Sequence, residues 1–198
     1  WSDDNHCGYV GGCFFISESE SSQYRAISHR QGYKITTDNQ LTDSAYSASS
    51  TGHSVSSPNW NSSADVLAID DGNEWSACII LGNDELRCWG YNHYGTMGNG
   101  ESSSSADRLY PSTSSNVSFP VNYAPIHVSI GEINACAVLE NGEAYCWGRN
   151  EGDSHIGADF ACEYGDYQDG CDGEYHVPMP TQPVILPPGT MAESVYVN

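Results

Sequence analysis

Residues 78–92 read CIILGNDELRCWGYN, and residues 136–150 read CAVLENGEAYCWGRN. The two stretches lie 58 positions apart and agree at eight of fifteen positions, among them both cysteines, the Trp-Gly after the second cysteine and an Asn two residues later. Each is a short apolar run, a turn and a returning run. In the first, Cys-Ile-Ile-Leu leads through Gly-Asn-Asp to Glu-Leu-Arg-Cys-Trp. In the second, Asn141-Gly142 is the strongest short hairpin signal in the chain. Folding either hairpin about its turn sets its two cysteines on facing strands, where a disulfide fits best at a non-hydrogen-bonded pair. Such a bridge closes a short loop, so it is worth a few kcal/mol at most and chiefly holds the register of a small sheet.

Working outward, a strand-like run precedes each hairpin: Ala64–Ile69 before the first and Pro125–Gly131 before the second. Glu193–Val197 stands where a further copy should begin. Tyr33–Thr42 has the same outline without cysteines and is either a degenerate copy or unrelated to the repeat. Four segments follow: 1–63, a divergent N-terminal part; 64–126, one repeat; 127–189, a second repeat with an insertion; and 190–198, the start of another. The Ser-rich stretches 43–61 and 101–118 are expected to be long surface loops. The first residue is Trp1, not Met, as expected of a processed terminus or a piece of a longer polypeptide.

The eight cysteines fall into four local pairs: Cys7 and Cys13, Cys78 and Cys88, Cys136 and Cys146, Cys162 and Cys171. Disulfides and zinc are the two readings. Zinc favours Cys-x2-4-Cys knuckles, which do not occur here, so disulfides and an oxidising, extracellular compartment are expected. The sequons at Asn61 and Asn116 are candidate glycan acceptors in the same setting.

Six Lys plus Arg stand against 26 Asp plus Glu, a formal net charge of −20. That charge repels phosphate backbones and anionic lipid, so nucleic-acid and membrane-surface binding are poor expectations, and no apolar run reaches the length of a membrane span. Ser, Asn, Gly and Tyr fill the polar positions in place of Glu and Lys, a composition of strands and turns.

With Cys-x9-Cys-Trp-Gly-x-Asn followed by Tyr94-Gly-Thr-Met-Gly-Asn-Gly100, the chain resembles the cysteine-containing branch of the RCC1 repeats. The resemblance implies an all-β fold of four-stranded propeller blades, with Trp89, Gly90, Trp147 and Gly148 in structural roles. Propeller blades take roughly 40 to 50 residues, and rings usually hold at least four, so two clear copies are an incomplete set. The nuclear members act as exchange factors for a small GTPase on chromatin. Cystines and negative charge oppose that activity here, whereas members that grip a partner with a propeller face, including secreted β-lactamase inhibitors, are a better fit.

Beyond the repeat, the insertion around Cys162–Cys171 carries Asp159, Glu163, Asp166, Asp169, Asp172 and Glu174. It is either a calcium-binding loop or a solvated acidic one, and it lacks the ligand spacing of an EF-hand. Tyr164, Tyr167 and Tyr175 in that loop, with Tyr91 and Tyr94, are either a contact surface for protein or sugar or ordinary blade packing. The seven histidines are scattered, with no His-x3-His pair, Gly-x-Ser-x-Gly elbow or phosphate loop. No catalytic residues, and no cofactor other than calcium, are therefore expected. The function expected is a non-catalytic extracellular structural or interaction protein, part of a surface or filamentous assembly whose partners are copies of itself or other extracellular proteins. A lectin-like or inhibitor-like binding propeller recognising a glycan or protein is the alternative, and a hydrolase comes third.

Overall fold

The computed structural model describes residues 24–27, 33–43, 64–72, 76–92, 94–102, 108–114, 116–150 and 176–197. Three antiparallel sheets follow one another along the chain. The first holds β1 (Tyr24–Ile27), β2 (Tyr33–Thr36) and β3 (Leu41–Asp43). The second holds β4 (Val66–Asp71), β5 (Ala77–Leu81), β6 (Leu86–Tyr91) and β7 (Arg108–Leu109). The third holds β8 (Pro125–Ile130), β9 (Asn134–Leu139), β10 (Ala144–Arg149) and β11 (His176–Val177). In each sheet the strands pair in chain order, as in a propeller blade. Among the described residues the only helix is one 3-10 turn at Pro111–Thr113, and none is long and apolar enough to cross a membrane.

The three central hairpins turn in the same way. Thr36, Leu81 and Leu139 each donate their N–H to the carbonyl four residues on, all at 2.9 Å, and accept from the residue three on. This is a three-residue loop whose last member must be left-handed. Those members are Asn39 (φ 62), Asp84 (φ 65) and Gly142 (φ 79), the residue types that tolerate that conformation. Asn141-Gly142 thus supplies the second and third residues of its loop, not a two-residue turn.

Hydrogen-bonded pairs alternate along an antiparallel ladder. Counting back from the bonded pair Leu81 and Glu85, Cys78 and Cys88 fall at a non-bonded position, and Cys136 and Cys146 do so relative to Leu139 and Glu143. Strands approach most closely there: the Cα atoms of both disulfides, Cys78–Cys88 and Cys136–Cys146, are 4.1 Å apart.

Because side chains alternate across a strand, the second blade has two apolar faces. Ala77, Ile79, Leu81 and Trp89 pack with Tyr33, Ile35 and Leu41 of the first blade. Cys78, Ile80, Leu86 and Cys88 pack with Val128, Ala135, Ala137 and Trp147 of the third. The indole therefore faces the preceding blade and the cystine the following one. Both faces being buried explains why β5 is an unbroken apolar run and not an alternating one.

Polar bonds repeat across the junctions. Trp89 donates its indole N–H to the Tyr33 hydroxyl (3.1 Å), and Trp147 donates to the Thr96 carbonyl (2.9 Å). The Asp70 carboxylate accepts from the N–H of Ile130 (2.8 Å), and Ser129, its counterpart one blade on, accepts from Val197 (3.1 Å). The left-handed turn residue Asn39 accepts from Val66, and Gly142 accepts from Ala192, both at 2.8 Å. At the middle junction the counterpart of Val66 is Pro125, which has no N–H to give. Ala192–Val197 thus stands beside β8 as β8 stands beside β4, although it pairs as no strand.

Gly148 lies at φ 109, and a Cβ there would come 2.3 Å from the Ile133 carbonyl oxygen. Gly148→Ala is expected to cost about 3 kcal/mol in urea unfolding, whereas Gly82→Ala, where a Cβ would meet nothing closer than 3.5 Å, should cost about 0.5 kcal/mol or less.

Candidate interaction surface

The blades have two ends. At one, the long connections leave β6 and β10. Asn92 shapes the first: its side-chain oxygen accepts from Met97 N–H (3.1 Å) and its amide donates to the Glu101 carbonyl (2.8 Å). Asn150 holds the same repeat position and is fully buried. This connection is pressed onto the next blade. A Cβ on Gly95 would lie 2.5 Å from Pro178 Cα, and one on Gly98 would lie 2.8 Å from the Trp147 indole nitrogen. Tyr94 meets His176 edge-on at 4.9 Å and carries the Arg149 guanidinium 5.0 Å above its ring. Of the two readings for Tyr94, packing is therefore the one this geometry supports: the ring is a strut between blades.

At the other end lie the three hairpin turns and the starts of the inner strands. Gly82 N–H bonds the Asp65 carbonyl (2.8 Å) and Glu140 N–H bonds the Ala124 carbonyl (2.9 Å), tying each turn to the strand start beside it. Both strand starts carry a bulge: the β4–β5 register shifts between Val66 and Ala68, and the β8–β9 register between Pro125 and His127. The extra residues are Leu67 and Ile126, each 50% exposed. Tyr123 (51%), Ile185 (65%) and Met191 (74%) are exposed at the same end. Ile185 is held there by Val184 N–H on the Ala144 carbonyl (2.7 Å), and Met191 by its contact with Gly142.

Carboxylates surround these apolar side chains. Asp38, Asp65, Asp84, Glu140 and Glu193 are exposed, and Glu85 and Glu143 partly so. Two described cations stand at this level of the hairpins: Arg87, two residues after its turn, binds Glu85 at 2.6 Å, and Lys34 lies two residues before the turn of the first blade. Glu143 accepts a hydrogen bond from the Tyr145 hydroxyl (3.0 Å). Burial, and then this carboxylate, hold the phenol neutral and push its pKa up to about 12.

Of the residues expected to matter, Cys78, Cys88, Cys136, Cys146, Trp89, Gly90, Trp147 and Gly148 all lie in the blade cores. Asn116 is exposed, with its side-chain oxygen accepting from Leu86 N–H (2.9 Å). Cys7, Cys13, Cys162, Cys171, Asn61 and the acidic set Asp159, Glu163, Asp166, Asp169, Asp172 and Glu174 lie outside the described residues, as do Tyr164, Tyr167 and Tyr175. Among the described residues no group of three His, Cys, Asp or Glu side chains is placed to hold a metal. Sequence reasoning missed Leu67 and Ile126. Their signal is faint: in Val66-Leu67-Ala68-Ile69, apolar residues run on where a two-residue period would alternate, which an inserted residue explains.

Absorbance at 295 nm tests the Tyr145 environment. The folded state keeps its phenolic proton beyond the unfolded value near 10, so stability from the neutral phenol is full below that pH and is lost as pH rises towards 12. The wild-type minus Tyr145→Phe difference should stay flat to about pH 11; a midpoint near 10 would refute this.

Residues 126–153 match the Regulator of chromosome condensation (RCC1) repeat. No curated protein matches the sequence. Similar solved structures include Prp20p from Saccharomyces cerevisiae, studied for its binding to Gsp1p and histones, at 19% identity and a TM-score of 0.48, covering 66% of this chain and 29% of that one. Yeast RCC1 (Prp20) bound to Kap60 gives 20% identity and 0.46, covering 66% and 28%. Human WBSCR16 gives 16% identity and 0.43, covering 63% and 26%. The chain spans under a third of the length of each. The matched segment carries β8, β9 and β10, so an RCC1-type repeat forms the inner strands of the third blade, and the second blade repeats their hairpin and cystine.

Proposed function

We propose that the chain is a non-catalytic interaction protein that works outside the cell, as part of a larger surface or filamentous assembly. The observation that carries the reading is the pair Leu67 and Ile126, apolar side chains held exposed by bulges at equivalent positions of adjacent blades. Exposed apolar side chains grouped on one surface suit a contact with another molecule. The two cystines, set in register by their hairpins, suit an oxidising compartment.

A second reading, an inhibitor-like or lectin-like propeller that binds a protein or glycan, gains from the charge of the turn end. Two copies meeting there would bring carboxylates against carboxylates, which costs several kcal/mol unless cations intervene. Contacts between copies would therefore use other surfaces, leaving the turn end for a different molecule.

Sedimentation of the native protein over a wide concentration range, together with binding to protein and glycan arrays, tests both readings. Self-association or saturable binding to a partner is expected. A monodisperse monomer at every concentration that binds nothing on either array would overturn the proposal, as would hydrolytic turnover that disappears on replacing one acid or histidine.

A further inference from the structure

We propose that the turn end of the blades is a docking surface for a basic, apolar-bearing segment of another protein. The inference rests on the interaction reading above and deepens it by naming the surface and the chemistry of its partner. Leu67, Tyr123, Ile126, Ile185 and Met191 are each at least half exposed at this one end, and the structure holds four of them there from the backbone. Bulges turn out Leu67 and Ile126, the Gly142 turn seats Met191, and the Val184 bond to Ala144 fixes Ile185. Apolar side chains presented in this way can be covered without unfolding anything.

Charge selects the occupant. The surrounding carboxylates of Asp65, Asp84, Glu140 and Glu193 are exposed, and Arg87 is already engaged with Glu85. Phosphate-bearing ligands and a second copy of this acidic face are repelled, whereas lysine and arginine side chains gain from it. Long basic side chains also lay their methylene stems on apolar surface while their charged heads reach the carboxylates. A segment that alternates basic and large apolar residues meets both features together.

The test uses the whole native protein and a fluorescent peptide alternating lysine with leucine, alongside poly-lysine of equal length. Single-site, saturable binding of the lysine–leucine peptide is expected, tighter than that of poly-lysine and weakened about tenfold or more between about 0.05 and 0.5 M salt. Asp84→Asn with Glu140→Gln should lower affinity about fivefold, and Leu67→Ser with Ile126→Ser by a similar factor. Glu101→Gln with Glu132→Gln removes the same charge from exposed positions at the opposite end and should change affinity by less than about twofold. Far-ultraviolet circular dichroism of each variant reports that the blades are intact. The proposal is overturned if the two charge-matched variants weaken binding equally, which would make net charge the cause, or if the Leu67 and Ile126 substitutions leave affinity unchanged. A partner on the protein arrays that binds the Asp84 and Glu140 variant as tightly as wild type would reject this docking surface while leaving the interaction reading standing.

Discussion

Everything in this structure depends on the inner hairpins of the second and third blades being buried on both of their faces. A sheet of three or four short strands has too little core of its own, so it is stable only between neighbours. The second blade shows the arrangement most completely, with its indole side set against Tyr33, Ile35 and Leu41 and its cystine side against Trp147 and Val128. Trp147 illustrates the coupling. Its ring fills the third blade's contact with the second, while its N–H is satisfied only by the Thr96 carbonyl of that second blade. A buried indole N–H without an acceptor would cost about 1–3 kcal/mol, so packing and hydrogen bonding require the same register between blades.

The ends of the blades obey different rules from their faces. At the end where the long connections leave, glycines bring backbone against the next blade, and Tyr94, Arg149 and His176 close the seam. At the turn end the side chains of Leu67 and Ile126 are half exposed. The turns themselves need Asn39, Asp84 and Gly142 for their left-handed residues, and the carbonyls of Asn39 and Gly142 accept from Val66 and Ala192 of the segments that follow. Thus one end is devoted to joining blades, and the other presents acidic and apolar side chains outward.

Much of this was legible beforehand. The hairpin register followed from the ten-residue spacing of Cys78 and Cys88 and of Cys136 and Cys146, because a disulfide can form across a ladder only where the strands come close. The candidate surface was much less legible. In sequence Tyr94 suits a contact surface or blade packing equally, and what decides for packing is its ring contacts with Arg149 and His176, residues some 55 and 82 positions away. Leu67 and Ile126 drew no notice, because a bulge shows in sequence only as one apolar residue too many.

By itself, the sequence determined the all-β class, the repeated unit, the two cystine clasps and the acidic character. These are local properties, written into spacing and composition, and a short hairpin expresses them whatever lies around it. Only the tertiary structure decided which face of each blade meets which neighbour, which aromatics are used up in the seams and which apolar side chains are left in water. Those outcomes depend on contacts between residues about sixty positions apart, such as Asp70 with Ile130, whose geometry is set by the stacking of whole blades.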